Sequence, residues 1–157
     1  MTKVILLCGL PCSGKTTYSE NFKDKAVVLS CDELMLSLFP AQLGDKHDEI
    51  SQKVKNYLLN LSLDILRTHT DIILDFGFWT KADRENTISF YQDKGYTCEV
   101  YYLKVSNEQL IINLHKRNAE VEKGLKGSYF IDENILNKAL SLFEEPDQDE
   151  NVIIVNN

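Results

Sequence analysis

Apolar residues in this chain fall into short unbroken runs, separated by longer stretches in which they recur at every third or fourth position. The runs Lys3 to Cys8, Ala26 to Ser30, Asp71 to Phe76, Thr97 to Val105 and Asn151 to Val155 predict five strands. Runs that are apolar throughout, without alternation, belong to a sheet covered on both faces, as in parallel α/β domains. Between them, Lys15 to Phe22 predicts a helix. Asp48 to Thr68 predicts a longer one, whose Ile50, Val54, Tyr57, Leu58, Leu61 and Ile65 form a single apolar stripe for the sheet. Ala82 to Lys94 predicts a helix closed by Gly95 at a left-handed C-cap position. Ser106-Asn107-Glu108-Gln109 has the capping-box pattern, Ser106 accepting from the third helical amide and Gln109 reaching back, and opens a helix to about Glu122. Asp132 is positioned to cap a last helix, Glu133 to Phe143, which stops before Pro146. Strand and helix in alternation give an open, right-handed, mostly parallel five-stranded sheet of the α/β class.

No repeat, low-complexity tract or linker interrupts this pattern, and Pro11, Pro40 and Pro146 sit where turns are expected, so residues 1–157 read as one domain. A domain near this size buries roughly 70% of the surface its unfolded chain exposes, enough for a core without disulfides or a structural metal. Composition changes the picture in two ways. Lys and Arg number 17 against 24 Asp and Glu, a formal charge of −7, which argues against a broad nucleic-acid or anionic-membrane footprint and confines any phosphate site to a local feature. Cys8, Cys12, Cys31 and Cys98 show neither a CxxC pair nor zinc-type His/Cys spacing, so they read as free thiols of a reducing compartment, the cytoplasm. The run Val4 to Leu10 has the look of a short signal segment but lacks a small-residue cleavage site. No apolar stretch approaches the roughly 18 to 20 residues that span a bilayer.

The candidate chemistry begins where the first strand ends. Gly9-Leu10-Pro11-Cys12-Ser13-Gly14-Lys15-Thr16-Thr17 contains the phosphate-loop spacing of two glycines, then Lys and Thr, between an apolar strand and a helix. In such a loop the backbone N–H groups point at the phosphates, the helix N-terminus adds partial positive charge, Lys15 is a point cation and the Thr16 hydroxyl can ligate Mg²⁺. Gly9, Pro11, Cys12, Ser13, Gly14, Lys15, Thr16 and Thr17 are therefore the candidate nucleotide-binding residues. Asp75 closes the third strand at the carboxyl edge, where ligands bind in open α/β sheets, and is either a Mg²⁺ carboxylate or an ordinary polar strand end. Asp32 follows the second strand at the same edge. It is placed to take a proton from an acceptor hydroxyl, or to cap the segment Glu33 to Phe39, and one carboxylate can do both. Of the three arginines, Arg67 suits the C-terminal dipole of the long helix. Arg117 precedes the Gly-bounded segment Glu120 to Gly127, which suits a lid near residues 117–130, and reads either as a phosphate cation or as part of a solvated helix face.

These segments resemble the small P-loop kinases of the AAA-type ATP-binding family that includes polynucleotide-kinase-like, zeta-toxin-like and chloramphenicol-phosphotransferase-like proteins. The phosphate loop, Leu29-Ser30-Cys31-Asp32-Glu33, Leu74-Asp75-Phe76-Gly77-Phe78-Trp79 with Arg84, and Leu114-His115-Lys116-Arg117-Asn118 carry the likeness. The acidic stretch Phe143 to Glu150 is also similar to the family's. The resemblance implies a three-layer P-loop NTPase fold with sheet order 2-3-1-4-5 and ATP-dependent phosphorylation of a hydroxyl. It also implies Asp32 as acceptor base, Asp75 as the Walker B carboxylate for Mg²⁺ and Arg117 as the lid arginine. Two positions depart from the family. Cys12 replaces a glycine common inside the loop, acceptable if that position needs no positive φ. Val121 stands where a second lid arginine is common, leaving Lys123 or Lys126 as substitutes that lack the bidentate fork.

Phe76, Phe78, Trp79, Tyr129 and Phe130 are candidates for lining an acceptor pocket, with Trp79 and Arg84 as acceptor contacts beside Asp32. Cys12 and Cys31 are candidates for a redox pair. The leading expectation is an ATP-dependent phosphotransferase, with ATP and Mg²⁺ bound and a small-molecule hydroxyl as acceptor. A polynucleotide 5′-hydroxyl kinase, disfavoured by the charge, and a nucleotide-binding switch without transfer are the alternatives.

Overall fold

The computed structural model describes residues 1–39, 41, 43–124 and 129–156. Strands β1 (Lys3–Cys8), β2 (Ala26–Ser30), β3 (Asp71–Gly77), β4 (Thr97–Lys104) and β5 (Val152–Asn156) form one sheet in the order β2-β3-β1-β4-β5, every neighbouring pair parallel. This is the expected three-layer α/β arrangement with sheet order 2-3-1-4-5. Helices α1 (Lys15–Glu20), α2 (Cys31–Leu38), α3 (His47–Arg67), α4 (Lys81–Gln92), α5 (Asn107–Glu122) and α6 (Glu133–Leu142) connect the strands, with a 3-10 turn at Gly44–Lys46 before α3. Among the described residues, no helix is long and apolar enough to cross a membrane.

Side chains of β1 alternate between two cores. Val4, Leu6 and Cys8 join Ile72, Leu74, Val100 and Tyr102 on the face covered by α2, α3 and α4, where Met35, Leu58, Leu66 and Tyr91 are buried. Ile5 and Leu7 join Ile73 and Leu103 on the opposite face, under Tyr18 of α1 and Phe22 just beyond it. Each fully buried side chain of this size contributes roughly 1.5–3 kcal/mol, so β1 anchors both layers. The buried line of α3 is Val54, Leu58, Ser62 and Leu66, four residues apart. The expected stripe differs at Tyr57, which is 61% exposed. Ser62 is accommodated because its hydroxyl shares a hydrogen bond with the buried Tyr91 hydroxyl at 2.7 Å.

Helix ends follow local chemistry with two corrections. Asp132 accepts from the Ile135 amide at 2.8 Å, and Gly95 takes the left-handed conformation (φ 83). Ser106 accepts from the Gln109 amide at 3.2 Å, but only half of the capping box forms, because the Gln109 side chain donates to Asn113 Oδ1 at 2.9 Å instead of reaching back. The cap of α2 is Ser30, whose hydroxyl accepts from the Glu33 amide at 3.2 Å, rather than Asp32. Helices α5 and α6 pack beside the phosphate loop: Leu110 and Ala139 meet Leu10, and Leu114 and Leu136 meet Cys12.

Candidate active site

The chain leaves β1 at the carboxyl edge of the sheet, turns through residues 9–14 and enters α1 at Lys15. Gly14, the N-cap, has φ 89, a conformation that suits a residue without Cβ. Cys12 also has a left-handed backbone, φ 65, so the condition under which a non-glycine residue is readily accepted there is not met. For a non-glycine residue this conformation costs roughly 1–2 kcal/mol. The surroundings hold it: Asn113 Nδ2 of α5 donates to the Cys12 carbonyl at 3.0 Å, and the side chain packs on the Leu114 cluster. Pro11, Cys12, Gly14, Lys15, Thr16 and Thr17 line a cleft of about 1170 Å³, while Gly9 and Ser13 lie buried beneath the loop.

Lys15 folds back over its own loop, donating from Nζ to the carbonyls of Gly9 (3.0 Å) and Leu10 (2.9 Å). Loss of solvation lowers its pKa below the ordinary lysine value, opposed first by Asp75 and then by Asp32. Asp75 is buried near the carboxyl end of β3, and its Oδ2 accepts from the Thr16 hydroxyl at 3.0 Å. Burial raises its pKa, while Lys15 and the Thr16 hydrogen bond pull it down. A hydroxyl and a carboxylate, both hard oxygen donors next to a phosphate cradle, fit Mg²⁺, which takes few protein ligands and completes its shell with phosphate and water. Among the described residues, no group of three or more His, Cys, Asp or Glu side chains forms a self-sufficient metal cage. This donor pair could hold Mg²⁺ that completes its shell with phosphate oxygens and water.

Asp32 lies in the first turn of α2, exposed, and lines the same cleft. Ser30 both pairs with Asp75 in the sheet and caps α2, so strand passes directly into helix and carries Asp32 to the edge occupied by Asp75. Arg117, partly buried on α5, lines the cleft from the other side, and its Nη2 donates to the Tyr129 carbonyl at 3.3 Å. Lys123 is exposed. Lys126 and the rest of residues 125–128 within the lid stretch, like Pro40, lie outside the described residues.

Arg84 requires a correction. It is fully buried and is not among the residues lining the cleft: its Nε and Nη2 donate to Glu150 Oε1 (2.6 Å) and Oε2 (2.9 Å), and its Nη1 to the Phe78 carbonyl (2.9 Å). The acidic stretch is thus a strap. Glu144 N donates to the Trp79 carbonyl at 2.7 Å, Lys81 pairs with Asp147 at 2.8 Å and Lys104 with Glu145 at 3.1 Å. What the strap fixes is the turn after β3, where Gly77 (φ 85) and Phe78 (φ 50) are both left-handed. A Cβ at Gly77 would come within 2.9 Å of Trp79 Nε1, which donates to the Gly9 carbonyl at 3.2 Å.

Phe76, Phe78, Trp79 and Tyr129 line the cleft; Phe130, by contrast, is 46% exposed and is not among its lining residues. The Cys31 thiol turns to Ser51 Oγ at 3.4 Å, and burial raises its pKa, so it is held as an inert thiol rather than poised for redox exchange with Cys12. Sequence reasoning missed Asn113, and also the polar residues His47, Ser51 and Lys55, which line the cleft from α3. Their spacing of four was a readable signal beside the apolar stripe.

Three comparisons place the chain. The AAA domain family model matches residues 4–146, so the chain belongs to that family. No curated protein sequence matches it significantly. Among solved structures, a candidate kinase from Chloroflexus aurantiacus superposes with a TM-score of 0.74 at 18% identity, over 99% of this chain and 88% of that one. Chaetomium thermophilum Kti12 in complex with ADP-AlF3 gives 0.69 at 17% identity, over 98% and 88%. The Mycobacterium tuberculosis APS kinase CysC, in complex with AMPPNP and APS, gives 0.65 at 14% identity, over 99% and 88%. At these identities the likeness is one of fold.

Proposed function

We propose that this member of the AAA domain family is an ATP-dependent phosphotransferase that moves the γ-phosphate of ATP to a hydroxyl of a small molecule. The observation that supports this most is the meeting of Lys15, the Thr16–Asp75 pair, Asp32 and Arg117 in one cleft. A switch that only binds nucleotide has no need of a second, exposed carboxylate at that edge. Nucleotides in the APS kinase and Kti12 structures are consistent with ATP as donor.

In this reading the loop backbone and the N-terminus of α1 hold the β- and γ-phosphates, and Lys15 exchanges its bonds to the Gly9 and Leu10 carbonyls for phosphate oxygens. Its ammonium is held charged by the incoming anion, reversing the effect of burial. Thr16 and Asp75 would hold Mg²⁺, which supplies charge neutralisation between the phosphates when bound. Asp32 accepts a hydrogen bond from the acceptor hydroxyl. As the acceptor oxygen bonds to the γ-phosphorus and the bond to the ADP oxygen breaks, the hydroxyl proton passes to Asp32 and then to water. Arg117 offers a planar cation to charge spreading over the transferring group. A reducing, cytoplasmic setting suits a chain whose four cysteines are all free.

The test is incubation with Mg²⁺, γ-labelled ATP and a mixture of hydroxyl metabolites and 5′-hydroxyl oligonucleotides. Asp32→Asn should keep ATP affinity and lose about 10²–10⁴-fold in transfer. Undiminished transfer would remove Asp32 from the chemistry. Label going to oligonucleotides alone would favour a polynucleotide acceptor.

A further inference from the structure

One end of the cleft, where α3 faces the first turn of α2, is built by side chains to which phosphoryl transfer assigns no task. His47, Ser51 and Lys55 lie four residues apart on α3, hence on one helix face, and all line the cleft. That face is docked on the first turn of α2 by the Cys31–Ser51 contact, which brings it beside Asp32. Both Asp32 and Lys55 act electrostatically on the Cys31 thiol, in opposite senses, so they flank the same point. Tyr129 closes this end. Its hydroxyl donates to the Phe39 carbonyl at 2.7 Å, and the His47 ring meets it edge-on at 5.7 Å.

Two groups here lack a polar partner among the described residues. The His47 Nδ1 atom is buried without a hydrogen bond. Lys55 is partly buried, and no described carboxylate forms an ion pair with its ammonium. The neighbouring acids leave it so: Asp48 faces Lys138 at 3.9 Å and Asp45 is exposed. A half-buried ammonium with no ion pair among the described residues, next to an imidazole nitrogen that lacks a hydrogen bond and open to a cleft, is the complement of an oxyanion.

We infer that this end is the acceptor subsite and that the acceptor carries an anionic oxygen group besides its reacting hydroxyl. The inference rests on the phosphotransferase reading and specifies its substrate class. The hydroxyl addresses Asp32, the anion pairs with Lys55, and His47 Nδ1 completes the hydrogen bonding of the group between them. Lys55 binds and orients without entering the transfer, so its loss appears in the acceptor KM rather than in the chemical step. A carboxylate and a phosphate ester share this chemistry.

The experiment uses the full chain with Mg²⁺, γ-labelled ATP and a panel of polyols and sugars, each beside its carboxylate and its phosphate-ester counterpart. Anionic members should be phosphorylated with kcat/KM about tenfold or more above their neutral counterparts. Lys55→Gln should raise the KM of the preferred anionic acceptor by a similar factor with little change in kcat, and Lys55→Arg should restore most of it. The arm that responds to Lys55→Gln tells carboxylate from phosphate ester. AMPPNP affinity by calorimetry and the thermal midpoint confirm that each variant is folded and nucleotide-competent. Preference for neutral acceptors, or equal discrimination by wild type and Lys55→Gln, overturns the inference while leaving the kinase reading intact. Bound AMPPNP with no transfer to any member overturns both.

Discussion

Glu150→Ala removes the carboxylate bonded to a wholly buried guanidinium, and the size of its effect follows from the contacts. The wild-type carboxylate accepts two charged hydrogen bonds from Arg84, at 2.6 and 2.9 Å, and a third from the Asp147 amide at 3.1 Å. Hydrogen bonds to charged groups contribute about 1.5–3 kcal/mol each, and breaking one side of a buried pair costs about 3–5 kcal/mol. The Glu150 side chain is 10% exposed, so water can reach part of the vacated space and the loss belongs at the lower end, about 3 kcal/mol. For a chain of this length each kcal/mol moves the midpoint by roughly 2–4 °C, so melting should fall by about 6–12 °C. Urea titration should show a lower midpoint at unchanged slope. The double variant Arg84→Met, Glu150→Ala should recover part of the loss, since no unpaired charge then remains, although the Phe78 carbonyl loses its guanidinium donor and keeps only the Cys8 thiol. A loss below about 1 kcal/mol, or no recovery in the double variant, would refute the claim that this pair clamps the turn after β3.

Other consequences are equally direct. Cys12→Gly should relieve the left-handed strain of roughly 1–2 kcal/mol against about 0.5–1 kcal/mol of added chain entropy, a net gain near 0.5 kcal/mol; chemical denaturation checks it, and a clear loss of stability would mean that the thiol's contacts on the Leu114 cluster dominate. Lys15→Ala should weaken ATP binding by about 10-fold to 100-fold in calorimetry, and unchanged affinity would disprove the phosphate cradle. Arg84 holds the Glu150 carboxyl below the ordinary glutamate range, so its stabilisation is complete above about pH 4.5 and is lost as pH falls through the lower folded value. Asp75, shifted upward by burial, has the opposite sign, becoming less favourable as pH rises through its folded value. Comparing acid unfolding of wild type and Glu150→Gln isolates the first effect, and parallel curves would contradict it.

The strands were legible because a doubly covered sheet imposes uninterrupted apolar runs, and the cradle because glycine, lysine and threonine at fixed spacing have few other uses. What escaped depends on tertiary closure. Ser30 and Asp32 are both good caps, and the choice between them is made by where β2 stops pairing with β3, a long-range matter. The conformation of Cys12 is set by loop closure onto α5 through Asn113, a hundred residues further along the chain. Arg84 looked like a site residue because it follows Trp79, yet its partner lies 66 residues away. Tyr57 matched the helical spacing of α3 but falls at the margin of its buried face. The polar line His47, Ser51, Lys55 was readable as a pattern, but only the docking of α3 on α2 makes it a wall of the cleft.

Net charge takes on a different meaning once its distribution is known. The formal −7 suggests a surface hostile to anions, and it does disfavour a long polyanion track. Part of the acidity, however, is used internally by the closing strap, where Glu145, Asp147 and Glu150 face Lys104, Lys81 and Arg84. Around the cleft the balance is nearly even, five Lys and Arg side chains against six Asp and Glu among the described lining residues. Two of those six carboxylates are already engaged, Asp75 with Thr16 and Asp48 with Lys138. Exposed acids elsewhere act across solvent with a screening length of about 8 Å at physiological salt, so little of their field reaches the acceptor end. In the proposed reading the cleft carries cations for both substrates, Lys15 and Arg117 for the phosphates and Lys55 for the acceptor, while the net charge disfavours longer polyanions.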